Sequence, residues 1–224
     1  MFTSSRNLGT AVLTALCLLV GIAAAQHPTF ETGAVDAIIG EGAFHAYTYA
    51  TEVPADVADG EEDERVRAIL EAIAGTTQHS ASFMHVDEMK LGTTVLTPPT
   101  LYVTLSTRTH HPERSDIGSF MLQFALDPET LELLEEADVE LKFYPRGSSY
   151  DDYYAFTEGV FELLEVTVVD DVTLAVSGTF SGALSHQTDY DVVHNPDDAL
   201  AVEGSFTVAR VVSNDAAFKL LMAE

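Results

Sequence analysis

Along residues 172–184 every even position is apolar or glycine: Val172, Leu174, Val176, Gly178, Phe180, Gly182 and Leu184. The odd positions read Thr173, Ala175, Ser177, Thr179, Ser181 and Ala183. Alternation with period two predicts a strand that buries one face and wets the other. It returns at 200–212, where Val202, Gly204, Phe206, Val208 and Val212 hold the phase against Glu203, Ser205, Thr207 and Ala209. Arg210 alone intrudes, so the strand is expected to leave the core there. Upstream, Val160, Leu164, Val166 and Val168 share even numbers, and a turn at Asp170-Asp171 must fold that face onto Val172, Leu174 and Val176. Setting Val168 opposite Val172, Val166 opposite Leu174 and Leu164 opposite Val176 requires a three-residue loop, 169–171, with Asp171 left-handed.

Earlier segments carry the same signal. Phe44, His45, Tyr47 and Tyr49 suit a first strand within 29–50. Strands are predicted at 80–89, 100–107 and 118–126, with Leu101, Val103 and Leu105 inward in the second and Phe120, Leu122, Phe124 and Leu126 inward in the third. Val139, Leu141 and Phe143 resume the sheet. Two segments break the period. Asp59 caps a predicted helix over 61–74, whose acids sit at its positive end, whose stripe is Val66, Ile69, Leu70 and Ile73, and which Gly75 ends. Asp127-Pro128-Glu129 opens a short second helix near 128–136, with Asp as cap and Pro at the first helical position. Asn214 is placed to cap a terminal turn carrying Phe218, Leu221 and Met222. These elements predict an all-β fold, a two-layer antiparallel β-sandwich with one amphipathic helix insertion and a short second helix.

The segment 159–168, Ser177-Gly178-Thr179-Phe180-Ser181 and Gly204-Ser205-Phe206-Thr207-Val208 resemble the late hairpin and last strand of uncharacterised β-sandwich domains of bacterial secreted proteins and lipoproteins. The resemblance covers about the last third of the mature chain. It implies the fold and an exported setting, and it carries no activity and no catalytic residues.

Residues 1–25 read as a secretory signal: one cation, Arg6, an apolar run at 11–22, and Ala23-Ala24-Ala25 as a small-residue cleavage site. The run is short for a membrane span. Cys17 follows Leu16 inside it, which is not the setting of a lipid-attachment cysteine, so the mature chain has no thiol for a disulfide or a nucleophile. A single β-sandwich domain, 26–224, is expected to be periplasmic or extracellular after cleavage near Ala25.

Thirty-six acidic residues against 10 basic ones leave a net charge of −26. Such a surface repels nucleic acid and anionic membranes, and it repels itself unless salt shortens the screening length. An envelope protein or a glycan is the partner class left open. The three lysines, Lys90, Lys142 and Lys219, suit a salt-adapted or GC-rich organism.

Candidate chemistry lies in loops. His186, Asp189, Asp191 and His194 form H-x-x-D-x-D-x-x-H, with Asp197 and Asp198 just beyond. Imidazole with carboxylate suits a divalent ion such as Zn²⁺ or Mn²⁺, although a polar hairpin loop in an acidic chain has the same composition. His110 and His111 precede Pro112 and Glu113, but adjacent side chains point apart on an extended chain. Tyr144, Tyr150, Asp151, Asp152, Tyr153 and Tyr154 mix rings and acids as sugar-stacking surfaces do. Tyr150, Tyr153, Tyr154, His110 and His111 are therefore the ligand-contact candidates. No G-x-S-x-G, H-E-x-x-H, phosphate loop or dinucleotide fingerprint occurs, and 56–64 lacks the ligand spacing of a Ca²⁺ loop. The expected function is that of an exported, non-catalytic binding or envelope-associated domain without a catalytic residue or cofactor, contacting its ligand through 108–117, 147–154 and 185–199. The alternatives are a metal-dependent hydrolase built on the 186–198 loop and a structural subunit of a surface assembly.

Overall fold

A computed structural model describes residues 29–61, 64–91, 94–107, 118–134, 139–145, 152–187 and 196–214. The predicted all-β class holds: nearly every described segment is strand, and the pairings are antiparallel but for one.

The aromatic stretch near the start is a hairpin rather than one strand. β1 (Thr29–Ile39) turns at Gly40, whose φ of 58° permits the tight reversal, into β2 (Gly42–Glu52). Helix α1 (Glu64–Ile73) follows, then β3 (Thr77–His79), β4 (Ala81–Val86), β5 (Met89–Leu91) and β6 (Thr94–Thr97). β7 (Thr100–Ser106), β8 (Ser119–Leu126) and β9 (Glu140–Tyr144) lead to three long strands: β10 (Tyr153–Asp170), β11 (Thr173–Gln187) and β12 (Ala199–Ser213). The main sheet runs β11-β10-β9-β8-β7-β4-β12-β1-β2-β3, and β11 also pairs with β12, closing a circuit from β11 back to itself. The closing β12–β4 step is the parallel one, at Val212↔Ser82 and Ser213↔Phe83. β5 and β6 form a separate ribbon.

The inward residues expected of β7 and β8 are all buried, and so are Leu174, Val176, Phe180 and Leu184 of β11 and Val202, Phe206 and Val208 of β12. Rings meet across the interior: Phe120 stacks on Phe180 at 5.5 Å, and Phe124 lies 6.2 Å from Phe206. The repeated Gly-x-Phe has a direct cause. Gly178 pairs with Phe206 and Phe180 with Gly204, so each ring lies over the glycine of the other strand. A β-carbon on Gly178 would stand 2.6 Å from the Phe206 ring, and one on Gly204 2.5 Å from that of Phe180. The motif is a reciprocal lock between neighbouring strands.

Several expectations are corrected. The β10–β11 turn is the two-residue Asp171-Val172, and Val168 faces Leu174, not Val172. Asp170 pairs with Thr173, Val169 is left out as a bulge, and among the described non-glycine residues only Leu131 has positive φ, so Asp171 is not left-handed. Bulges between Phe156 and Glu158 and between Leu163 and Glu165 reset the phase of β10. Phe161, Leu163 and Val166 therefore pack on the core, while Val160, Leu164 and Val168 stay 64%, 62% and 59% exposed and Val172 is exposed as well. In β12 the pairs Val176↔Val208 and Leu174↔Val211 leave Ala209 and Arg210 as an exposed bulge, so Val211 is buried in place of Val212.

The short second helix near 128–136 is absent from its described part. Asp127 does cap, accepting N–H bonds from Glu129 (2.8 Å) and Thr130 (3.0 Å), and these hold its carboxyl below the usual carboxylate range. The chain then doubles back, with Leu131 at φ 60° and an antiparallel bridge Leu126↔Leu133. So short a segment makes too few i→i−4 bonds to outweigh pairing with β8. Helix α1 begins at Glu64, so Asp59 is not its cap and instead donates its N–H to Asp56 O in a turn. Gly75, at φ 70°, ends the helix as expected, and its N–H bonds Val53 O, fastening α1 to the end of β2. Residues 215–224, with the expected terminal turn, lie outside the described residues.

Candidate functional site

Strand pairing unites two clusters that the sequence keeps apart. Tyr154 pairs with His186, which brings the start of β10 beside the end of β11, and Ser185 pairs with Ala199, which returns the chain after the intervening loop to the same place. The short 3₁₀ turn Pro196–Asp198 precedes that return. Asp152 and Asp198 consequently flank one imidazole: His186 Nε2 lies 2.6 Å from Asp152 Oδ1, and Nδ1 lies 3.4 Å from Asp198 Oδ2. The Tyr154 ring covers the imidazole at 4.8 Å. Burial raises the Tyr154 hydroxyl above its ordinary value, and the charges of Asp198 and Asp152 add to the rise, so the phenol stays neutral.

The imidazole meets a carboxylate through each ring nitrogen, Asp152 at hydrogen-bond distance and Asp198 at a longer ion-pair distance. This ties three chain segments together and leaves neither nitrogen open. The carboxylates lie on opposite sides of the ring, so the three groups do not converge on a common point. Among the described residues no group of three or more His, Cys, Asp and Glu could share an ion. Of the expected metal set only His186 is described; Asp189, Asp191 and His194 lie outside the described residues, as do Tyr150, His110 and His111. Tyr153 is buried, 5.5 Å from Tyr144, with Lys142 Nζ 5.4 Å from its ring centre; Tyr154 is half-buried against the core. Both rings have ring neighbours, Tyr144 for Tyr153 and Phe143 and His186 for Tyr154.

The described strand ends that flank the expected contact loops lie at one end of the fold. Ser119 pairs with Tyr144, Phe143 with Tyr154 and Tyr153 with Gln187, so the connections after β7, β9 and β11 all leave from the same side. The His186 cluster lies at their base. Asp152 and Asp198 were visible in the sequence as parts of two acidic loops, but only strand pairing makes them neighbours.

The sequence reading missed a second feature. On the outward face of β2, β1, β12, β11 and β10, a depression of about 770 Å³ is lined by His45, Asp36, Ile38, Glu203, Ser181 and Val160, among others. His45 bonds Asp36 through Nδ1 and the Tyr47 hydroxyl through Nε2 at 2.5 Å. The signal available was His45 and Tyr47 two apart on a strand, hence on one face. Interior space between the sheet walls is occupied by Phe44, Phe120, Phe124, Phe180 and Phe206.

His79, at the end of β3, is another titratable group shifted from its ordinary value. Its Nδ1 is buried with no hydrogen-bond partner, and burial first and the Arg210 charge second lower its pKa from 6.5. The unfolded chain then binds a proton that the folded chain refuses, so this contribution to stability is complete above about pH 6.5 and is lost as pH falls through the folded value. The thermal midpoint is expected to drop between about pH 7 and pH 5.5, and His79→Gln to flatten that drop. An unchanged slope in the variant refutes the assignment.

The chain matches no family model, and neither curated proteins nor solved structures include a match.

Proposed function

We propose that the protein is an exported, non-catalytic binding or envelope-associated domain that meets its ligand with the end bearing the loops after β7, β9 and β11. The observation that carries this reading is the His186 bridge to Asp152 and Asp198, which braces the bases of two of those loops. Bracing lowers the ordering cost of a loop surface on binding. A core filled with phenylalanine rings supports contact at the surface over uptake into the interior. The hairpin and last-strand resemblance and the signal-like residues 1–25 support export.

Two measurements test it. The mature chain is expected to begin at Gln26 by mass spectrometry. Wild-type protein is expected to co-sediment with isolated cell envelopes, and His186→Ala to weaken this by about ten-fold through loosened loops. Metal analysis of both proteins separates the competing class. A stoichiometric transition metal lost in His186→Ala overturns the non-catalytic reading in favour of a metal-dependent hydrolase on His186, Asp189, Asp191 and His194.

A further inference from the structure

β10 pairs with β11 along its length, but on its other edge it meets β9 only at Tyr154 and Ala155. From 158 to 170 that second edge has no strand beside it among the described residues. The free stretch is roughly 40 Å long at the rise of a strand. An unpaired row of backbone N–H and C=O groups is a template for another strand, and proteins usually blunt it with lysine or proline. No lysine or proline occurs over 157–170.

The side chains along this edge define what it would accept. Val160 and Leu164 are 64% and 62% exposed, and Val168 and Val169 continue the apolar surface to the tip. Interleaved with and flanking them stand the exposed carboxylates of Glu158, Glu162, Glu165 and Asp170. No Lys or Arg occurs anywhere between Arg146 and Arg210, a span that includes all of β10 and β11. A second copy would therefore lay one carboxylate row against another, which is a cost of like charges directly opposite. A strand with cations at alternate positions meets the same row as counter-charges.

We propose that the free edge of β10 receives an extended polypeptide segment of a partner protein, with apolar and Lys or Arg side chains alternating, as an added antiparallel or parallel strand. The proposal rests on the binding-domain reading and names a second surface for it, away from the loop end. Backbone bonds supply affinity, the aliphatic stems of the partner's Lys or Arg row cover Val160 and Leu164, which share the exposed face with Glu158 and Glu162, and the glutamates select against acidic strands. The three bulges against β11 and the acidic row guard the edge against the chain's own copies without closing it to a basic partner.

The test uses the mature chain with two short synthetic probes, one alternating Val with Lys and one identical except for Glu in place of Lys. The Lys probe is expected to bind, to slow amide exchange within 158–169, and to lose about ten-fold in affinity when salt is raised from low to high, as exposed charge pairs do. Leu164→Lys and Glu162→Lys, both at exposed positions, are expected to weaken binding by about ten-fold with an unchanged thermal midpoint. Equal binding of the two probes, protection outside β10, or concentration-dependent self-association that protects the same amides each overturns the proposal. Loss of probe binding in His186→Ala but not in Leu164→Lys moves the contact to the loop end and overturns the edge assignment alone. The binding-domain reading falls instead to the metal result described for His186.

Discussion

Replacing Phe206 with Ala is expected to cost about 3–5 kcal/mol of folding stability, the range for truncating a buried aromatic side chain. Phe206 is 2% exposed, stacks on Phe161 at 5.8 Å with the rings 10° apart, approaches Phe124, and roofs Gly178. Its removal opens a cavity bordered by β8, β10, β11 and β12 at once, and close-packed walls relax only in part. Domains of this size have about 5–15 kcal/mol in total, so the variant is left near the unfolding threshold. Urea unfolding should show a lowered midpoint with an unchanged slope. Phe30→Ala is the control, because that ring is 54% exposed and its loss is expected to stay within about 0.5 kcal/mol. A loss below about 1 kcal/mol for Phe206→Ala contradicts the packing described.

Gly204→Val is expected to prevent folding or leave a protein that melts far below wild type. A β-carbon there would stand 2.5 Å from the Phe180 ring and 2.6 Å from the Asp36 carbonyl oxygen. Phe180 is itself 2% exposed and stacked on Phe120, so it has nowhere to move, and the Asp36 oxygen belongs to paired backbone. Overpacking of this kind costs about 1–3 kcal/mol for one methyl group and more for a branched side chain. The lock also predicts coupling. Gly178→Ala should cost less beside Phe206→Ala than alone, by about 0.5–3 kcal/mol, because one of its two obstructions is gone. The Glu162 carbonyl at 2.5 Å remains, so the rescue is partial. Strict additivity in the double-mutant cycle, read by thermal or urea unfolding, would show that the rings do not lie on the glycines.

The strands most legible in the sequence were those without bulges on the core face. Leu101, Val103 and Leu105 of β7, and Phe120, Leu122, Phe124 and Leu126 of β8, alternate without interruption, and all are buried. β10 misleads for a physical reason: three extra residues along its length, Thr157, Leu164 and Val169, each exchange inside for outside, and no periodicity counted from one end survives those changes. The missing second helix has a similar cause. Asp127 caps as its chemistry requires, but the Leu126↔Leu133 bridge takes the backbone groups that a helix would use. At the candidate site, His186 was singled out for its loop, whereas its neighbours Asp152 and Asp198 come from segments that strand pairing brings together.

Composition and alternation alone determined the all-β class, the acidic surface, the inward faces of β7, β8 and the end of β11, and the pairing of glycine with phenylalanine as a recurring unit. These depend on local periodicity and on which side chains water rejects, and both are properties of short stretches. Only the tertiary structure decided that Phe206 sits on Gly178 and Phe180 on Gly204, that β12 closes back on β4, that His186 bridges Asp152 and Asp198, and that one edge of β10 stays open. Each of these depends on register between segments distant in the chain. Register is set by bulges and by the packing of rings against glycine, neither of which leaves a periodic trace in the sequence.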